Sequence, residues 1–189
     1  MLTASTPISI TSTMLDEMAR HLRLSSPGSV EQTADVEAVM RDAIAHLEAR
    51  LALCLSPRRF TWRGYLDGEG RARAPIGPVR ALIEVKLIRP NGDVNVLDVS
   101  DFEVDQLETR PLFCGSTFAP DELEFTFDAG FGTDWNDAPP DVRRATLLLG
   151  AHYFDKRHAT GEKIHPIPHG VAVLTAPWRP VRLSARRSA

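Results

Sequence analysis

Apolar residues along this chain recur every three or four positions, then every second position, then every three or four again. The first helical stretch is short. Leu15, Met18, Ala19 and Leu22 share one face, Thr13 is placed to cap the following turn, and Asp16 and Glu17 suit its positive end. Ser25-Ser26-Pro27-Gly28 should end it. A second helix, predicted from Thr33 or Asp35, carries Val36, Val39, Met40, Ala43, Ile44, Leu47 and Leu51 on one face. Glu37, Arg41, Asp42, Glu48 and Arg50 fall on the other, and Pro57 should close the helix.

From Phe60 to Phe131 the period changes to two. Val79, Ala81, Ile83, Val85 and Leu87 alternate with Arg80, Glu84 and Lys86, as a half-buried strand requires, although Leu82 and Ile88 blur the pattern. Pro90-Asn91-Gly92-Asp93 offers turn chemistry ahead of Val94, Val96 and Val99, so an antiparallel hairpin is predicted. Leu123, Phe125, Phe127 and Ala129 alternate with Glu124, Thr126 and Asp128 in another strand that ends at Gly130.

Helical spacing returns at Pro139-Pro140-Asp141, where proline suits a first turn and the acid suits its dipole. Val142, Ala145, Leu148, Leu149 and Tyr153 form its stripe, which runs to about Arg157. Beyond it, Gly161, Pro166, Pro168, Gly170, Pro177 and Pro180 predict an extended arm with a short strand at Val171-Ala172-Val173-Leu174. The fold class is therefore α+β: a small bundle of three main helices with an inserted antiparallel β domain and an extended C-terminal arm. Its divisions are 11–57 plus 139–158 for the helical core, 58–132 for the insertion and 159–189 for the arm.

Composition narrows the function classes. With 189 residues and 43% hydrophobic positions the chain can bury a core. No apolar run approaches the ~20 residues needed to cross a bilayer. Met1-Leu2-Thr3-Ala4 lacks the basic start and apolar middle of a signal peptide, so cytoplasmic synthesis without a membrane role is expected. A formal charge of -3 gives no basic footprint for holding nucleic acid. Cys54 and Cys114 have no CxxC spacing and read as buried apolar thiols.

No constellation points to catalysis, a cofactor or a metal. Gly130-Phe131-Gly132 lacks the remaining glycine of a dinucleotide loop and reads as a turn, and no phosphate-cradling GxxxxGK[ST] sequence occurs. His165 and His169 flank Pro166-Ile167-Pro168 with no acid or cysteine nearby to complete a shell. His46 and His152 sit at the edges of apolar helix faces, where a hydrogen-bonded structural role outweighs that of a base. Asp98, Asp101, Glu103 and Asp105 lack calcium-loop spacing and read as a solvated strand edge. Trp178-Arg179-Pro180-Val181-Arg182-Leu183 has the composition of a partner anchor, and Trp178 folding back on its own domain is the competing reading.

The local grammar is more specific. Phe125-Thr126-Phe127-Asp128-Ala129-Gly130-Phe131-Gly132, then Ala138-Pro139-Pro140-Asp141-Val142-Arg143-Arg144-Ala145, then Ala151-His152-Tyr153-Phe154-Asp155-Lys156-Arg157 resembles a strand, AGF turn, proline-led helix start and a helix end that carries a tyrosine followed by an arginine. That series is the one found in the head-tail connector (adaptor) family of tailed phages and gene transfer agents. Leu15 to Leu24 resembles the opening helix of the same family.

The resemblance implies a non-enzymatic virion structural protein at the head-tail interface, assembled in a bacterial host cytoplasm. It implies a homo-oligomeric, dodecameric ring that meets the portal protein on one side and a stopper or tail protein on the other. Double-stranded DNA would pass through without specific binding. An arm carrying Val171, Val173, Trp178, Arg179, Val181, Arg182 and Leu183 is the expected portal contact. Another tail-completion or tail-terminator protein is the alternative, followed by a small bacterial enzyme.

Overall fold

The alternation at Leu123, Phe125, Phe127 and Ala129 builds the middle strand of the protein's larger sheet. The structure is a computed structural model that describes residues 1–24, 30–106, 111–115, 122–157 and 167–180. In chain order its main elements are β1 (Leu2–Ala4), α1 (Ser12–His21), α2 (Val30–Leu51), β2 (Arg58–Gly64), β3 (Arg71–Arg73), β4 (Val79–Ile88) and β5 (Val94–Leu97). There follow β6 (Phe102–Asp105), β7 (Leu112–Gly115), β8 (Glu122–Ala129), α3 (Pro140–Lys156) and α4 (His169–Thr175). The α+β class is therefore as read from the sequence, with four helices and two antiparallel sheets among the described residues.

One sheet has the order β1-β2-β8-β4-β5 and the other β3-β7-β6. Phe113 of the smaller sheet stacks on Phe125 of the larger, ring centroids 4.7 Å apart, so the two pack face to face around an aromatic core. Every second residue of β8 is buried, from Leu123 to Ala129. The hairpin of β4 and β5 also forms, its turn closed by Arg89 and Asp93 with Gly92 at φ 90°.

Strand β4 departs from strict alternation. Register shifts fall between Val79 and Ala81 and between Leu82 and Glu84. Each such irregularity moves later side chains to the other face. Val79, Val85 and Leu87 remain buried, whereas Ala81 and Ile83 turn outward and Leu82 packs against the core.

The helices bury a second core containing Met14, Met18, Met40, Ile44, Leu47 and Leu149. Thr11, and not Thr13, caps α1: its Oγ1 accepts the Met14 N–H at 3.4 Å, and the earlier start places Met14 on the buried face. Helix α2 ends at Leu51 because Ala52 turns left-handed, φ 55°, several residues before Pro57. The segment after it bridges to the β region, with Cys54 donating its N–H to the Gly77 carbonyl at 2.7 Å.

The greatest difference lies in the C-terminal region. Val171-Ala172-Val173-Leu174 is helical, part of α4, where a strand was expected. Pro168 sets the first turn, and burial of Val171 and Thr175, one helical turn apart, against the helical core outweighs the β preference of the two valines. Leu147 and Thr146 join Val142, Ala145 and Leu149 in the interior, while Leu148 and Tyr153 are half-buried. Helix α3 is covered on more than one side.

Candidate functional site: an assembly surface

The resemblance-bearing series from Phe125 to Arg157 forms the joint between the sheets and the helices. Gly130, at φ 133°, leaves β8 so tightly that a side chain there would stand 3.0 Å from the Pro57 Cα. Phe131 then meets the edge of the Trp178 ring at 5.8 Å, their planes perpendicular. The Trp178 indole N–H donates to Asp141 Oδ2 at 2.6 Å, in the first turn of α3. Trp135 donates likewise to Glu17 of α1 at 2.6 Å, and Arg143 donates to the other oxygen of that carboxylate at 2.9 Å.

On the other side of this joint Glu48 of α2 is only 5% exposed, although helical spacing placed it on the polar face. Its Oε1 accepts the N–H groups of Leu55 and Ser56 at 2.7 and 3.2 Å, and Arg58 donates to both of its oxygens. The carboxylate thus organises the turn from helix to sheet, and its charge is matched by an equally hidden guanidinium. Burial explains the position: a buried carboxylate needs a paired, hydrogen-bonded partner.

These arrangements set the outcome for the arm residues. Val171 is buried and Trp178 is half-buried against its own domain, so the fold-back reading describes Trp178. Val173 is 56% exposed and Arg179 is exposed, and both remain available at the surface. Val181, Arg182 and Leu183 lie outside the described residues.

The candidate chemical groups are dispersed. The Nδ1 atom of His46 is 2.9 Å from the Tyr153 hydroxyl, and burial pushes that phenol above its ordinary pKa, with Asp42 adding to the effect. Burial, helped by the Glu48 charge, pushes the Cys54 thiol up to about 12, which makes it inert near neutrality. Asp98 accepts from both the N–H and the hydroxyl of Ser100, holding its carboxyl below the usual range. His169 begins α4, while His165 is outside the described residues. No cluster of metal-ligating side chains occurs among the described residues. A groove of about 110 Å³ between α1 and α2 is lined by Leu15, Ala19, Leu24 and Val36 beside a few polar groups, smaller than the few hundred Å³ usual for small-molecule sites.

The outer face of the larger sheet is where charge and exposure concentrate. Arg59 forks onto Asp128 at 2.8 and 3.0 Å, Arg63 reaches Glu124 at 2.6 Å, and Lys86 reaches Glu84 at 2.7 Å. Val94 and Val96 continue that face at its β5 edge, 54% and 66% exposed. No helix of the described residues is long and apolar enough to cross a membrane.

No family model and no curated protein sequence matches the chain. Solved structures do, over 100% of both chains in each case. The neck of an empty gene transfer agent particle, computed with C6 symmetry, gives a TM-score of 0.81 at 28% identity. The virion of a native gene transfer agent particle gives 0.80 at 28% identity. The neck of a native particle computed with C12 symmetry gives 0.77 at 26% identity. Full-length likeness in fold and sequence to these components extends the resemblance first seen between Phe125 and Arg157 and supports a likeness to the head-tail connector family of phages and gene transfer agents.

Proposed function

We propose that this protein is the adaptor subunit of a phage-like particle, a non-enzymatic component of the neck. Copies form a ring between the portal and a stopper or tail protein, and the ring extends the channel for double-stranded DNA. The observation that carries this reading is the full-length match to neck structures computed with C6 and C12 symmetry. Net charge agrees with a conduit: at -3 the subunit offers little to retain passing phosphates.

Portal contact is assigned to the surface around Val173 and Arg179 together with Val181, Arg182 and Leu183. Val171 and Trp178 support it from below by fixing α4 on α3. The reading is tested in producing cells by deleting the gene and imaging the particles. Filled heads without tails, restored by the intact gene, are expected, together with subunit density beneath the portal. Tailed, infective or transfer-competent particles in the deletion would sink it. For the arm, removal of 181–189 combined with Val173→Asp should leave the fold intact and weaken portal binding at least tenfold. Unchanged binding would remove the arm from the interface.

A further inference from the structure

Among the described residues both edges of the larger sheet are open, and their geometry makes them complementary. Among the described residues β5 pairs only with β4, and β1 pairs only with β2. The Arg89 N–H donates to the Asp93 carbonyl at 2.9 Å. Antiparallel alternation then turns the N–H and C=O groups of Val94 and Val96 away from β4, toward the open side. At the far edge Arg63 donates to the Met1 carbonyl at 3.2 Å and Ser5 to the Arg59 carbonyl at 2.9 Å, which leaves the backbone groups of Leu2 and Ala4 pointing outward.

We propose that β5 of one copy adds to β1 of the next, in parallel, with Val96 opposite Thr3, so that the larger sheets join laterally around the ring. This rests on the ring reading above and supplies its interface. Every neighbouring pair in the sheet is antiparallel, and three strands lie between the two edge strands, so β1 and β5 run in the same direction. Rotation about an axis along the strands keeps that direction, and a head-to-tail junction is then parallel and can close a ring. A two-fold axis would instead set β5 against β5.

Register follows from the free groups. Val96 can donate to the Leu2 carbonyl and accept from the Ala4 N–H only when it lies opposite Thr3. In that register both side chains share the outer face, because Thr3 pairs with Thr61 and Val96 with Lys86, across from Thr126 and Glu124. Exposed Asp93 and Asp98 bracket β5, and at the other edge Arg63 and Arg59 of β2 flank β1 while holding Glu124 and Asp128 of their own chain. Asp98 of one copy comes beside Ser5 of the next, whose inner neighbour is Arg59. Pairing also covers the exposed valines and the unpaired edge groups, a combination that otherwise invites unwanted strand addition.

The experiment uses the full chain assembled in particles. Thr3→Cys combined with Val96→Cys should give, on oxidation, a ladder of covalent multimers, because facing strand positions lie within disulfide reach. With Cys114→Ser in every variant, so that only the introduced thiols report, either single variant should stay monomeric on a non-reducing gel. Val96→Pro removes only an outward N–H, so it should fold with an unchanged melting temperature and yet fail to enter particles. Particles that contain the double variant without a ladder, or Val96→Pro at full copy number, overturn the edge pairing and leave the neck reading standing. A dimer from Val96→Cys alone overturns it in favour of a two-fold contact. Absence of the wild-type chain from particles defeats the neck reading itself.

Discussion

Arg58 grips Glu48 inside the protein, its Nη1 and Nη2 atoms 3.0 and 2.5 Å from the two carboxylate oxygens. Their side chains are 9% and 6% exposed, so this pair is part of the interior that ties α2 to β2. Replacing Arg58 by methionine keeps the stem and removes the charge, leaving the carboxylate buried and unmatched. A loss of about 3–5 kcal/mol is expected from a urea titration. A loss below about 1 kcal/mol would mean that water reaches Glu48 freely.

Gly130 allows β8 to turn directly into the helical joint. Alanine there would have to hold φ near 133° with its Cβ 3.0 Å from the Pro57 Cα. Backbone strain alone predicts a loss of about 1–3 kcal/mol, readable as a lower melting temperature. Gly68, where a Cβ would meet nothing within 4 Å, is the control, and its alanine variant should melt almost as the wild type does.

The Trp178 bond to Asp141 anchors α4 to the start of α3. Trp178→Phe preserves a ring for Phe131 and deletes the donor, so it should cost about 1.5–3 kcal/mol, the range for a hydrogen bond to a charged group. Faster amide exchange in α4, with β8 unchanged, is the expected signature. Equal protection in α4 would show that packing of Val171 alone holds the helix.

The Arg59 hydrogen bond, with its charge, holds the Asp128 carboxyl below its ordinary pKa. A depressed folded value means stabilisation that is present above the unfolded pKa and fades as pH falls through the folded one. Because both side chains are substantially exposed, the contribution is at most about 1 kcal/mol. Carbon-detected titration should place Asp128 below a typical aspartate, and Arg59→Leu should bring it back up. An unaltered midpoint would remove Arg59 as the cause.

The two cysteines should separate kinetically. Cys54 is fully buried with its thiol pushed up to about 12, while Cys114 is half-buried, its thiol also raised by burial but partly open to solvent. A disulfide reagent near neutral pH should label Cys114 first and Cys54 only on unfolding. Labelling of both at one rate would contradict the closed interior around Cys54.

Periodicity in the sequence determined much of this protein. The stripe from Val36 to Leu51, the alternation from Leu123 to Ala129 and the proline-led start of α3 each depend on local spacing, and each formed where that spacing put it. The family grammar was legible for the same reason, since turns such as Ala129-Gly130-Phe131 are written in consecutive residues. Residues whose role depends on a distant partner were not legible. Glu48 lay on a nominally polar face until Arg58 and two backbone N–H groups closed over it, Ile83 was displaced outward by irregular strand register, and the valines of α4 became helical because α3 offered them a buried face. The edge complementarity of β1 and β5 was also beyond local reading. Sequence spacing assigns side chains to faces, but only long-range pairing decides which strands end a sheet and in which directions their free backbone groups point.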